Sequence, residues 1–123
     1  MLVAIGGGRL RTPFSAPEFF LRSMASLREA KRHPGNLFAE VWRDDGVLFS
    51  LSAWEDVPAM RDFARSGQHL KAMTATGRLT TGFRFHHYES DVMPDWSDAL
   101  ARWRDAAMPG GGKERLEIGA IPQ

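Results

Sequence analysis

Two alternating runs joined by Asp44-Asp45-Gly46 constrain this chain more than any other feature. Asp-Gly accepts the positive φ angles of a tight hairpin, so the flanking runs predict paired antiparallel strands. Asn36 to Arg43 is the first, and Val47 to Trp54 is the second. Side chains alternate across a strand. Val47, Phe49, Leu51 and Ala53 therefore share one face of the second strand, and Leu48, Ser50, Ser52 and Trp54 share the other.

Helical patterns stand on either side of this hairpin. Ser15-Ala16-Pro17-Glu18 has the form of a capping box, and Phe20, Met24 and Leu27 recur at helical spacing behind it. His33-Pro34-Gly35 stops that helix. Asp56 is a helix cap followed by Pro58, and Val57, Met60 and Phe63 form an apolar stripe. Ser66-Gly67 breaks or bends the second helix, and a further segment from about Gln68 to Ala75 ends at Thr76-Gly77. Met1 to Leu10 predicts a first strand whose Gly6-Gly7-Gly8 marks a bulge or a close backbone approach. Thr80 to Tyr88 predicts a last strand, with Phe83, Phe85 and His87 on one face and Arg84, His86 and Tyr88 on the other.

The resulting order is β-α-β-β-α-β, which makes the expected class α+β with a ferredoxin-like antiparallel sheet. Trp96, Leu100 and Trp103 recur at i, i+4 and i+7 after Asp95, which predicts an extra helix at about 95–107. Residues 1–108 are expected to form one domain, and 109–123 a Gly-rich break and tail. Two helices cover only one face of such a sheet, yet the Val47–Trp54 strand carries large apolar groups on both. The second face needs a cover. A homodimer is the expected solution, and the Trp96/Leu100/Trp103 helix is the monomeric alternative.

Composition removes several function classes. The chain has no cysteine, which excludes thiolate nucleophiles, iron–sulfur clusters and Cys-type zinc sites. Sixteen basic side chains against fifteen acidic ones leave no concentrated positive field for nucleic acid. No apolar run approaches the roughly 20 residues of a membrane helix. Met1 to Ile5 lacks the basic opening of a signal peptide, so a soluble cytoplasmic protein is the expectation. No His/Asp/Glu spacing matches a common metal site.

Ser52-Ala53-Trp54-Glu55-Asp56, then Ala59-Met60, Phe63, Ser66-Gly67-Gln68-His69, Ala72-Met73 and Pro94-Asp95-Trp96, form a recognisable set together with Arg28-Glu29-Ala30 and Pro34-Gly35. Across about residues 1–106 the chain resembles the antibiotic-biosynthesis-monooxygenase-like group of the dimeric α+β barrel superfamily, and more remotely spheroidene monooxygenase. The resemblance implies a homodimer with sheets packed face to face and a pocket between each sheet and its helices. It implies a monooxygenase-like activity on a small hydrophobic or aromatic molecule, with no cofactor required; heme or flavin stays open. The alternative is a non-catalytic dimer that binds heme or another hydrophobic ligand. Heme-degrading members of the superfamily place a histidine and a preceding tryptophan where this chain, aligned on Ser66, has Met73 and Phe63. That departure argues against the same heme chemistry and leaves His69 as the histidine on this segment.

His69 is the candidate catalytic residue, since imidazole titrates near neutrality and serves as a general base or an axial heme ligand. It serves equally as a hydrogen-bonding partner for the broken helix near Gly67. Trp54, Phe63, Met73, Phe83, Phe85 and His87 are the candidate ligand-binding residues. Each has an ordinary core or strand-end role as its alternative.

Overall fold

The computed structural model describes residues 1–44 and 46–107. Four strands, β1 (Leu2–Leu10), β2 (Asn36–Asp44), β3 (Val47–Trp54) and β4 (Thr80–Glu89), form one antiparallel sheet in the order β2-β3-β1-β4. The helices are α1 (Ala16–Arg32), α2 (Val57–Ala64), α3 (Gly67–Leu79) and α4 (Trp96–Ala107). This is the expected ferredoxin-like α+β arrangement with an added C-terminal helix. The expected break and tail, 109–123, lies outside the described residues.

The hairpin pairs Asp44 with Val47, and Gly46 takes φ +78°, which a side chain would strain. The glycine triplet does not interrupt β1. It supplies the close approach instead: a Cβ on Gly6 would stand 2.7 Å from the Phe85 ring, and one on Gly7 would stand 2.9 Å from the Trp103 ring. In the pairing of β1 with β4 the register shifts just beyond it, between Arg9 and Leu10.

Caps set the helix starts. Asp56 Oδ1 accepts from the Ala59 amide at 2.9 Å, and Asp95 Oδ1 accepts from the Asp98 amide at 2.8 Å. The Ser15–Glu18 capping box is not formed. Thr12 opens a single 3-10 turn, Pro13–Ser15, by accepting from the Phe14 amide at 2.9 Å. Glu18 is drawn instead into a bidentate pair with Arg78. The buried side of α1 also differs from expectation, since Phe19 and Ala30 are inside while Phe20 is 60% exposed. Likewise α3 runs past Gly77 to Leu79, because Ala75, Thr76 and Leu79 bury against the sheet. Leu70 does not join Met73 inside; it is half exposed.

The sheet separates two apolar layers. On one face α1, α2 and α3 pack over Leu48, Trp54 and Phe83. On the other, α4 lays Ala99 and Trp103 onto Val3, Ile5, Val47, Phe49, Leu51 and Ala53. Trp103 is 1% exposed and meets Phe49 edge-on at 4.9 Å. Its Nε1 donates to the Arg84 carbonyl at 3.0 Å, and Arg84 Nη1 donates to the Trp103 carbonyl. The Arg84 guanidinium also lies 3.7 Å from the Trp103 ring centre. The chain's own helix thus covers part of the apolar face that called for a second copy, while Trp42 on the same side stays 54% exposed.

Candidate functional site

The helical face of the sheet does not close completely. Gly6, Ala4, Ser50, Ser52 and Ala39 occupy neighbouring strands and present small side chains to the helices above. These small residues on the floor leave a cavity of about 750 Å³ beneath the helices. That lies within the range of small-molecule sites, roughly 300–1,000 Å³. Trp54, Phe63, His69, Met73, Phe83, Phe85 and His87 all line it. The structure therefore brings every candidate site residue to one space.

Those residues arrive from four elements. Trp54 ends β3, and its Nε1 donates to Ser52 Oγ at 2.9 Å. Phe63 of α2 stacks on Trp54 with centroids 4.9 Å apart and planes at 25°. His69 of α3 sits 4.6 Å from Phe63. Phe83 and Phe85 lean together at 4.8 Å, resting in the space that Gly6 and Gly8 leave above β1. His87 is further along the same strand face and remains exposed, so it lies at the cavity's edge. His86 points to the opposite face and stacks near Tyr88 at 6.0 Å.

His69 is the half-buried imidazole. Its Nδ1 lies 3.4 Å from Ser26 Oγ on α1, while Nε2 has no hydrogen-bond partner among the described residues. Burial lowers the His69 pKa below its ordinary value of about 6.5, and the negative charge of Glu29 partly opposes this. The ring is therefore neutral near pH 7, the form that accepts a proton. His33 is spoken for: Nδ1 accepts from the Gly35 amide at 3.0 Å, and Nε2 is 2.7 Å from Asp62 Oδ2.

Sequence reading did not reach two neighbours of His69. Ser26 and Glu29 lie on α1, 43 and 40 residues earlier, and reach α3 only because the two helices pack side by side. The available signal was the run of small residues at Ser23, Ser26 and Ala30 on the inward face of α1. Among the described residues no cluster of His, Asp and Glu could hold a metal ion, and no helix is long and apolar enough to cross a membrane.

No family model matches this sequence, and no curated protein does. Solved structures do. A "putative antibiotic biosynthesis monooxygenase" from Nitrosomonas europaea superposes with a TM-score of 0.68 at 12% identity, over 75% of this chain and 100% of its own. One of the same description from Deinococcus radiodurans gives 0.68 at 17% identity, over 77% and 97%. A variant of SnoaB, a cofactor-independent oxygenase from Streptomyces nogalater, gives 0.63 at 18% identity, over 76% and 97%. Identities this low speak for the fold, and the chain has the fold of the antibiotic-biosynthesis-monooxygenase-like proteins that are its structural neighbours.

Proposed function

We propose that this chain is a small oxygenase that binds a flat hydrophobic or aromatic molecule in the cavity between sheet and helices, with His69 as general base. The observation that supports it most is that the His69 imidazole lines an apolar chamber together with Trp54, Phe63, Phe83 and Phe85; its burial there favours the neutral form. A bound flat substrate would displace water from the apolar walls and leave its carbanion facing mainly oxygen.

The chemistry balances without a further reagent. His69 Nε2 takes a proton from an activated CH₂ of the substrate. The carbanion gives one electron to O₂, and the radical pair joins through a new C–O bond. Imidazolium returns its proton to the peroxide, and loss of water leaves a carbonyl. One CH₂ and one O₂ become one C=O and one H₂O.

Heme is less well served by the same lining: His69 and His87 are the imidazoles that could hold its iron, while Arg43 is the only arginine or lysine among the described lining residues that could meet its two propionates. Self-association belongs to the proposal as well, but in a narrower form. With α4 in place, a second copy would meet the exposed Trp42 beside Trp96 rather than a bare sheet face.

Oxygen uptake with an anthrone or naphthol panel tests the reading. Replacing His69 by Ala is expected to lower kcat about 100-fold or more, the usual contribution of a general base. Substrate binding should persist, because the aromatic walls remain. Absence of uptake across the panel, or an unchanged kcat in H69A, would remove the proposed chemistry. A Soret shift on adding hemin that H69A abolishes would favour the heme-binding alternative.

A further inference from the structure

We propose that Ser26 and Glu29, one turn apart on α1, act together as positioning residues for His69. Ser26 selects which ring nitrogen carries the hydrogen, and Glu29 holds the helix end on which the ring stands. Their catalytic meaning rests on the oxygenase reading; their effect on the ring does not.

The first turn of α3 carries His69, and its leading amides have no partner within the helix. Ser66, at the position where a cap is expected, makes no capping bond with its side chain. Its hydroxyl donates instead to Glu29 Oε1 at 2.7 Å, and the same oxygen accepts from the Gln68 amide at 3.0 Å. A carboxylate from the neighbouring helix thus closes the end of α3, where the helix dipole also favours negative charge. The ring two residues into that helix is placed by a contact that spans 39 residues of sequence.

One turn earlier on α1, Ser26 Oγ lies 3.4 Å from His69 Nδ1. When Nδ1–H donates to this hydroxyl, Nε2 keeps its lone pair for the cavity. The opposite tautomer would put a hydrogen where the substrate proton must arrive. Phe63 at 4.6 Å fixes the ring from the α2 side with an uncharged contact. On α1 the charged group acting on the imidazole is Glu29; the nearby cations Arg28, Arg65 and Lys71 are exposed. Burial weakens the imidazole as a base, and Glu29 restores part of that strength.

The test is nitrogen-15 NMR of histidine-labelled full-length protein, run beside pH–rate profiles. Wild type is expected to show His69 protonated on Nδ1 in its neutral form. Ser26→Ala should mix the tautomers and lower kcat about fivefold with KM retained, the scale of one hydrogen bond. Glu29→Gln keeps an acceptor for Ser66 and Gln68 but removes the charge, so the His69 titration and the acid limb of the rate profile should both move to lower pH. Glu18→Gln removes another α1 carboxylate, one committed to Arg78, and should leave His69 unmoved. If S26A and E29Q fold and leave both tautomer and titration unchanged, the positioning role is overturned. If E29Q does not fold, the tautomer in S26A decides alone. If the NMR shifts appear in a protein that consumes no oxygen, the positioning stands and the oxygenase reading falls.

Discussion

Replacing Trp103 by Ala probes the helix that packs on the sheet face opposite α1, α2 and α3. The indole is 1% exposed, packs edge-on against Phe49, and carries the Arg84 guanidinium 3.7 Å above its centre. Truncating a buried tryptophan costs about 3–5 kcal/mol. The substitution also strips the Arg84 carbonyl of the Nε1 bond and the guanidinium of its aromatic bed, the latter worth about 2 kcal/mol when desolvated. These contributions overlap, so the expected loss is about 4 kcal/mol, a large share of the roughly 5–15 kcal/mol that holds a domain together. Urea unfolding followed by far-UV circular dichroism measures it. The loosened helix should uncover Val3, Ile5 and Phe49, raising dye binding and self-association in sedimentation velocity. Trp103→Phe keeps the ring contacts and should cost about 1 kcal/mol for the lost donor. A W103A protein with wild-type stability would show that α4 does not rest on this face in solution, and the monomeric cover would be refuted.

The lowered pKa of His69 fixes two signs. Activity should rise with pH through an acid limb below about 6.5 and then level, as read from kcat/KM between pH 4.5 and 8. Keeping the ring neutral contributes stability that is fully present above about 6.5 and is lost as pH falls toward the native value, because the unfolded chain takes up the proton first. The urea midpoint of wild type should therefore decline more steeply between pH 7 and 5 than that of His69→Gln. Gly8→Ala places a methyl 2.6 Å from the Gly82 carbonyl oxygen and against the Phe83 ring, and should cost about 1–3 kcal/mol by thermal unfolding. Asp56→Ala removes the amide cap of α2 and should cost about 1 kcal/mol, with the α2 amides exchanging faster in hydrogen-exchange NMR.

What the sequence made legible was what neighbouring residues decide between themselves. Gly46 marked the hairpin, Asp56 and Asp95 marked helix starts, Ser66-Gly67 separated α2 from α3, and the alternation in β3 assigned both of its faces correctly. Readings failed where a distant group intervened. Glu18 fits a local box, yet Arg78, 60 residues away, offers it a bidentate partner. Phe20 is apolar and at helical spacing, yet α1 overhangs a cavity and Phe19 takes the inward position. Gly77 looks like a stop, but packing of Leu79 carries α3 through it. The aromatic candidates at the site could be named because strand parity and helix spacing already grouped them. Ser26 and Glu29 could not, since their meaning appears only when α1 and α3 lie together.

The run of three glycines in β1 has a consequence for how the molecule can change. Gly6 and Gly8 admit Phe85 and Phe83 from the chamber side, while Gly7 admits Phe49 and Trp103 from beneath. A partition one backbone thick is all that divides the two halves, and rings press on it from both directions. Phe83 and Phe85 stand on one side of it and Trp103 on the other, whereas Phe49 and Leu51 both line the chamber and pack in the layer under α4. Substitutions at Phe83 or Phe85 should therefore combine additively with those at Trp103, and substitutions at Phe49 should not. Reshaping the chamber disturbs the anchoring layer at those shared positions and spares it elsewhere.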